Sequence, residues 1–153
     1  KLSRAMLVTV LFRFAKEQWS VDSGQWSADG GTEFSDVPAG QWYSDAVAWA
    51  AANGIVTGVG DNKFAPDEYI TREQFATVLF RFAKEQWSVD GEAGALAAFI
   101  DANDISSWAV DAMKWAVSGG LIGGVGDGKI SPRGEATRAE AAALLRRYIE
   151  NVK

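Results

Sequence analysis

The chain has 153 residues, of which 48% are hydrophobic and 23% are charged, and its net charge is −5. This composition can bury a hydrophobic core, and the negative charge disfavours nucleic acid, which normally binds a basic surface. Histidine and cysteine are absent, which removes the usual zinc ligands, the commonest general base and any disulfide. No apolar run is long enough to span a membrane. No signal peptide opens the chain, so a secreted origin requires a signal that lies upstream or has been removed.

An internal repeat organises the sequence. The segment TVLFRFAKEQWSVD occupies residues 9–22 and recurs without change at residues 77–90. A more divergent copy is found at a shift of 66 residues, which aligns Trp42 with Trp108 and Pro66 with Pro132. The predicted organisation is therefore the last helix of a truncated first repeat (1–18), a linker (19–33), a second repeat (34–86), a linker (87–98) and a third repeat (99–150). Since residues 1–18 lack a first half, we expect the natural chain to extend further toward its N-terminus and to carry three repeats.

Each complete repeat is predicted to fold as helix, loop and helix. In the second repeat, Ser44 or Asp45 is expected to cap a helix that runs to about residue 53, where a glycine ends it. The loop GVGDNKFAP at residues 58–66 is rich in turn formers, and its Phe64 is expected to insert into the core. Helix 2 of each repeat is predicted to begin at a capping box, formed by Thr71 with Gln74 and by Thr137 with Glu140.

The second helices carry amphipathic stripes, such as Phe75, Val78, Leu79 and Phe82. A two-helix unit cannot bury such a stripe alone, so neighbouring repeats must pack together. The predicted fold class is therefore all-α, as one domain built from helix-loop-helix repeats.

Several motifs recur in a fixed order along each repeat. In the second repeat they are Phe-x-Asp-Val at residues 34–37, a Trp at 42, Asp-Ala-x-x-Trp-Ala at 45–50, Gly-Ile at 54–55, Gly-x-Gly-Asp-x-x-Phe-x-Pro at 58–66 and Thr-Arg-x-Gln at 71–74. The third repeat departs from this order by Ile130 in place of the loop Phe and by Asn103 in a looser opening segment. The pattern covers nearly the whole chain outside the linkers and resembles the S-layer homology repeat. The resemblance implies a pseudo-threefold helical bundle.

The resemblance also implies a function. Such repeats anchor surface proteins noncovalently to the bacterial cell wall, outside the cell, by binding a secondary cell-wall polysaccharide that often carries an anionic pyruvate ketal. The Thr-Arg motif at the start of the second helix is the family's recognition element. Physical chemistry agrees, because an arginine fork beside free helix N-terminal amides favours a carboxylate. The ligand-binding candidates in this motif are Arg72, Arg138 and Arg4, with Thr71, Thr137, Gln74 and Glu140.

Each of these candidates also has a purely structural interpretation. The arginines could pair with nearby acids at the surface, and Trp42 and Trp108 could either stack on a sugar ring or pack in the core. The aspartates could bind sugar hydroxyls or close turns, and the loop lysines could add positive charge to the site. These further candidates are Asp61, Asp127, Asp36, Asp101, Lys63 and Lys129. Because Gln74 stands where the third repeat has Glu140, the grooves need not be equivalent.

Other functions are disfavoured. The loop at residues 126–130 lacks the acidic ligands of a calcium loop, no carboxylate pair marks a catalytic cleft, and no cofactor is expected. The alternative function is a helical protein–protein interaction module without carbohydrate binding. The incomplete first repeat, residues 1–18, also suggests self-association through its exposed apolar surface.

Overall fold

The computed structural model describes residues 1–18, 34–84 and 94–152. Over these ranges the regular structure consists of helices and 3-10 turns, without a β-strand, which confirms the predicted all-α class. The helices are α1 (Arg4–Gln18), α2 (Ser44–Ala52), α3 (Arg72–Lys84), α4 (Val110–Ser118) and α5 (Arg138–Val152), and 3-10 turns occupy Ala102–Asp104 and Ser107–Ala109. None of these described helices is both long and apolar enough to cross a membrane. The predicted linker 19–33 and most of the linker 87–98 lie outside the described residues.

The chain forms two compact units whose limits differ from those of the sequence repeats. The N-terminal unit contains residues 3–69, and the C-terminal unit contains residues 1–2 and 70–153. Within each unit, the second helix of one repeat packs against the first helix of the next repeat, α1 on α2 and α3 on α4. An equivalent aromatic pair marks each packing, with ring centroids 5.4 Å apart for Phe12 and Trp49 and 5.5 Å apart for Phe80 and Trp115. A sequence repeat is therefore not a packing unit.

The capping boxes predicted for the second helices are present. The Thr71 hydroxyl accepts the Gln74 amide at 3.3 Å, and the Gln74 side chain accepts the Thr71 amide at 3.0 Å. Thr137 and Glu140 make the same pair of bonds at 3.1 and 2.8 Å. Each box fixes the residue at which its helix begins.

The cap predicted for α2 is wrong. Tyr43 occupies the position before the helix and provides no side-chain cap, while Ser44 and Asp45 lie inside the first turn. The Ser44 hydroxyl instead accepts the Gln41 amide at 2.9 Å and donates to the Pro38 carbonyl at 2.7 Å. It stabilises the turn that precedes the helix.

The loop residues expected to enter the core do so. Phe64 and its counterpart Ile130 are completely buried. Gly54, which follows α2, has φ +66°, the left-handed conformation that ends helices and that glycine adopts without strain. Each repeat therefore inserts one apolar side chain from an otherwise polar loop.

Three equivalent residues form a closed ring of backbone hydrogen bonds in the C-terminal unit. Ile70 donates its amide to the carbonyl of Leu2, Leu2 donates to Ala136, and Ala136 donates to Ile70, at 2.9, 3.2 and 2.8 Å. Each residue lies two positions before the arginine of its Ser/Thr-Arg motif. Within the C-terminal unit, these three equivalent segments thus pair head to tail with approximate threefold symmetry, as the family resemblance implied.

Candidate functional site

The arginines of the first two Ser/Thr-Arg motifs are buried, not displayed at the surface. Arg72 is 9% exposed and donates from Nε to the carbonyl of Ile130 at 2.9 Å and from Nη2 to the carbonyl of Gly123 at 2.8 Å. In the N-terminal unit, Arg4 is 7% exposed and donates from Nε to the carbonyl of Phe64 at 2.8 Å. Each arginine thus holds the loop of the following repeat by a charge-assisted hydrogen bond.

The helix N-terminal amides beside these arginines are also occupied. The Arg72 and Glu73 amides donate to the carbonyls of Gly134 and Pro132, both at 2.9 Å. The Arg4 amide makes the equivalent bond to Glu68 at 2.9 Å. The expectation that free amides stand ready for an anionic ligand at α1 and α3 is therefore wrong, because the loop of the following repeat already uses them.

The third motif differs from the first two. Arg138 is exposed, and among the described residues it donates no hydrogen bond and forms no ion pair. Its neighbour Thr137 is exposed as well, although it caps α5. Arg138 is therefore accessible to an external ligand, unlike Arg4 and Arg72.

Glu140 connects the second and third repeats. One carboxylate oxygen accepts Arg72 Nη1 at 2.7 Å, and the other accepts the amide of Thr137 at 2.8 Å. Desolvation alone would raise the pKa of Glu140, but its hydrogen bonds to Thr137 and the positive charge of Arg72 hold that pKa below its ordinary value. The carboxylate is therefore ionised at neutral pH, and the side chain is 41% exposed.

A cavity of about 430 Å³ opens beside this ion pair in the C-terminal unit. Its size falls in the range of small-ligand sites, about 300–1,000 Å³. Its wall combines two guanidinium groups and one carboxylate with apolar side chains and loop backbone, namely Arg72, Arg147, Glu140, Leu121, Ile122, Gly123, Gly124, Val125, Ala143 and Leu144. The charged lining carries a net charge of +1, although the whole chain carries −5.

Arg147 is a lining residue that the motif comparison missed. It is exposed, and its Nη1 lies 3.4 Å from the carbonyl of Leu121, a long and weak hydrogen bond. The guanidinium can therefore leave that carbonyl for a better acceptor. Helical spacing could have identified it, because Glu140, Ala143 and Arg147 lie three and seven residues apart on one face of α5.

The two opening aspartates have a structural role. The carboxylate of Asp36 accepts the amides of Phe64 and Ala65, both at 2.8 Å. Asp101 accepts the equivalent amides of Ile130 and Ser131, also at 2.8 Å, and these bonds, the one from Ile130 first, lower the pKa of Asp101. The two carboxylates hold the loops that the buried arginines also hold, and neither lines the cavity.

The loop aspartates lie at tight turns. Asp61 and Asp127 have φ of +50° and +52°, and each is followed by a second residue with positive φ, as a two-residue type I′ turn requires. The turn is closed by backbone bonds, with the Lys63 amide donating to the Gly60 carbonyl at 2.9 Å. Both aspartates, together with Lys63 and Lys129, are exposed and lie outside the cavity lining.

Two of the described tryptophans are exposed and two are buried. Trp42 and Trp108 expose 59% and 53% of their surface, whereas Trp49 and Trp115 expose 3% and 8%. Trp42 packs edge-on against Tyr43, with centroids 5.1 Å apart. The exposed pair is accessible at the surface, but Trp108 does not line the cavity. Of the predicted site residues, only Arg72 and Glu140 lie together at it.

Comparison with known proteins shows which proteins this chain resembles. The family model for the S-layer homology domain matches residues 33–76 and 98–142, more than half of the chain. The chain is 38% identical over 82% of its length to the Surface-layer 125 kDa protein of Lysinibacillus sphaericus, and 37% identical over 77% to Exoglucanase XynX of Acetivibrio thermocellus. It is 28% identical over 76% of its length to the Cellulosome-anchoring protein of Acetivibrio thermocellus.

The chain spans only a small part of these relatives, 10%, 11% and 26% of their respective lengths. Other relatives are also named as S-layer or cell surface proteins, which agrees with the extracellular, cell-wall location that the sequence predicted. The matched residues cover most of both complete repeats and include both capping boxes, at residues 71–74 and 137–140. The chain belongs to the S-layer homology domain family.

Proposed function

We propose that this chain anchors a larger surface protein to the bacterial cell wall by binding an anionic, pyruvylated secondary cell-wall polysaccharide at the cavity beside Arg72. Relatives named as S-layer and cellulosome-anchoring proteins support the anchoring role. The observation that carries the polysaccharide assignment is the cavity itself, whose wall combines two guanidinium groups and one carboxylate with apolar side chains and loop backbone. Sugars have this dual character, with apolar ring faces and polar edges.

The two arginines that line the cavity have different roles. Arg72 is already committed to Glu140 and to two carbonyls, so it positions the wall and cannot grip a ligand without losing these bonds. Arg147 has only the weak bond to Leu121 and can turn to a ligand carboxylate. A planar guanidinium can accept such a carboxylate with two parallel hydrogen bonds. We assign the pyruvate carboxylate to Arg147 and the sugar ring to the apolar wall.

The test is calorimetric titration of the chain with a pyruvylated wall disaccharide. We expect Arg147→Gln to weaken binding at least tenfold, because the only loosely held cation of the cavity is lost. Arg146→Gln is the matched control, because Arg146 is the adjacent residue on α5, pairs with Glu150 at 2.8 Å and does not line the cavity. The disaccharide without its pyruvate serves as the ligand control.

The outcomes separate this function from the alternatives. Binding that ignores the pyruvate, or that Arg146→Gln reduces as much as Arg147→Gln, would contradict the assigned site. No binding to any wall polymer would favour the rival function, a helical protein–protein interaction module. We assign no catalysis to the chain, and a wall polysaccharide of unchanged length after prolonged incubation would agree with that.

Self-association through residues 1–18 remains a prediction, but the exposed apolar surface that suggested it is small. Leu7 and Leu11 of α1 are buried, and Val10 is the large apolar residue of this helix that stays exposed, at 45%. Sedimentation at several concentrations would decide it, and a strict monomer would count against it.

A further inference from the structure

The helices α1 and α3 are nearly interchangeable in sequence. Over the length of α3 they differ at only four positions, residues 5–8 and 73–76. Each helix packs a phenylalanine on a tryptophan of the following repeat, at closely similar distances. Repeat proteins with such similar segments are prone to pair the wrong elements or to swap them between chains. Correct folding therefore needs a feature that distinguishes the two helices.

Glu73 is the one charged residue among these four positions in either helix. Its side chain belongs to a residue that is only 4% exposed, and both carboxylate oxygens accept from Ser106, Oε2 from the amide at 2.9 Å and Oε1 from the hydroxyl at 2.8 Å. Within the described part of the chain, this carboxylate forms no ion pair. Ser106 precedes the 3-10 turn that leads into α4, so Glu73 holds the entry to the first helix of the third repeat.

The other two Ser/Thr-Arg motifs have alanine where Glu73 stands. Ala5 on α1 is completely buried, whereas Ala139 on α5 is exposed. The residue of the second repeat that aligns with Ser106 is Gly40, which has no hydroxyl and whose φ is +84°, against −62° at Ser106. The surface that receives the start of α1 is therefore fitted to a small apolar side chain, and the surface that receives α3 offers two hydrogen-bond donors.

A crossed pairing of the two helices loses what the native pairing provides. If α3 packed on the first half of the second repeat, Glu73 would enter the enclosed position of Ala5, where it would be overpacked and without the donors of Ser106. If α1 packed on the third repeat, the amide and hydroxyl of Ser106 would have no acceptor. The first arrangement is the more unfavourable, because it buries a carboxylate without compensation.

We propose that Glu73 and Ser106 act as a recognition pair that directs α3 to the third repeat and excludes it from the second. The pair contributes specificity in the way that a buried polar residue fixes the register of a coiled coil. Removal of both partners should therefore preserve the fold and abolish only the discrimination between the two helices.

The first test places the acid on the wrong surface of the full chain. Ala5→Glu brings to that surface the side chain that α3 would bring, and Ala139→Glu is the matched control at the equivalent, exposed position of α5. We expect Ala5→Glu to lower the midpoint of urea unfolding by about 1 M or more, and Ala139→Glu to change it by less than about 0.3 M. Hydrogen exchange should locate the loss of protection in α1. Equal midpoints for the two variants would overturn the proposal, because the surface would then accept the acid.

The second test separates specificity from stability. In Glu73→Ala combined with Ser106→Ala both partners are removed together, so the urea midpoint should fall by less than about 0.5 M. After unfolding and refolding at high protein concentration, this double variant should contain a larger fraction of swapped dimer than the unaltered chain, as measured by size-exclusion chromatography. An equal dimer fraction would overturn the proposal. A double variant that does not fold would overturn it as well, because the pair would then be required for stability.

Discussion

Arg72 and Glu140 lie 68 residues apart in the sequence and 2.7 Å apart in the structure, and each belongs to the Thr-Arg motif of a different repeat. The same glutamate caps its own helix with its other oxygen. The arginine of the second-repeat motif therefore holds the third repeat, and the acid of the third-repeat motif receives that arginine. In the second repeat Gln74 keeps the capping function without the charge.

Arg72→Ala should destabilise the C-terminal unit far more than Arg138→Ala. Loss of Arg72 leaves the carbonyls of Ile130 and Gly123 and the Glu140 carboxylate without their donor. We expect a loss of about 2 kcal/mol for Arg72→Ala, reduced from the fully buried case because Glu140 is partly exposed, and less than about 0.5 kcal/mol for Arg138→Ala. Urea unfolding measures both, and equal effects would contradict the assigned roles.

Stability should fall in acid. The pKa values of Asp36, Asp101 and Glu140 are all lowered in the folded chain. A lowered folded pKa contributes stability that is present above the ordinary value, 3.8 for the aspartates and 4.5 for the glutamate, and that is lost as pH falls through the lower, folded value. The urea midpoint should therefore be constant near neutrality and decline below about pH 4.5. Asp101→Asn should flatten part of this decline, and an unchanged slope would count against its role as acceptor.

Gly58 should tolerate alanine less well than Gly54. Both have positive φ, +81° and +66°, so each substitution carries backbone strain of about 1 kcal/mol. A Cβ at Gly58 would also lie 2.6 Å from the Lys63 carbonyl and 2.7 Å from the Phe34 ring, whereas at Gly54 it meets nothing within 4 Å. We expect Gly58→Ala to cost about 1–3 kcal/mol more, as overpacking does. Equal thermal midpoints for the two variants would contradict this account.

Trp108 should matter for long polysaccharide chains and not for the folded state. Its ring is 53% exposed and lies outside the cavity lining, whereas Trp115 is buried. Trp108→Ala should change stability by less than about 1 kcal/mol, against about 3–5 kcal/mol for Trp115→Ala. If Trp108 stacks on a sugar, its loss should weaken polymer binding several-fold and leave disaccharide binding unchanged. An equal loss of affinity for polymer and disaccharide in Trp108→Ala would contradict a role for Trp108 outside the cavity.

The features that the sequence predicted well are local. A capping box needs only residues three positions apart, so Thr71 and Thr137 could be assigned from their neighbours. The insertion of Phe64 followed from one large apolar residue in a polar loop. Ser44 was assigned incorrectly because the Gln41 amide and the Pro38 carbonyl, both in the preceding turn, compete for its hydroxyl.

The burial of the arginines could not be predicted in this way. The carbonyls that accept from Arg4 and Arg72 lie 60 and 58 residues further along the chain, and they become partners only when the next repeat packs. The sequence shows the same Ser/Thr-Arg pattern three times, but the structure buries two arginines and exposes the third. Position in the array, and not the motif, decides what each arginine does.

Packing of each second helix on the following repeat has a consequence for gene recombination. Residues 9–22 and 77–90 are identical, and they include Phe12 and Phe80, which pack on Trp49 and Trp115 of the next helix. An unequal crossover within this identical stretch adds or deletes 68 residues at once. The hybrid helix at the junction retains the aromatic side chain that its new neighbour requires, so that only the match between Glu73 and Ser106 has to be restored. Arrays of this kind can therefore change length between generations by adjusting one residue pair instead of a whole interface.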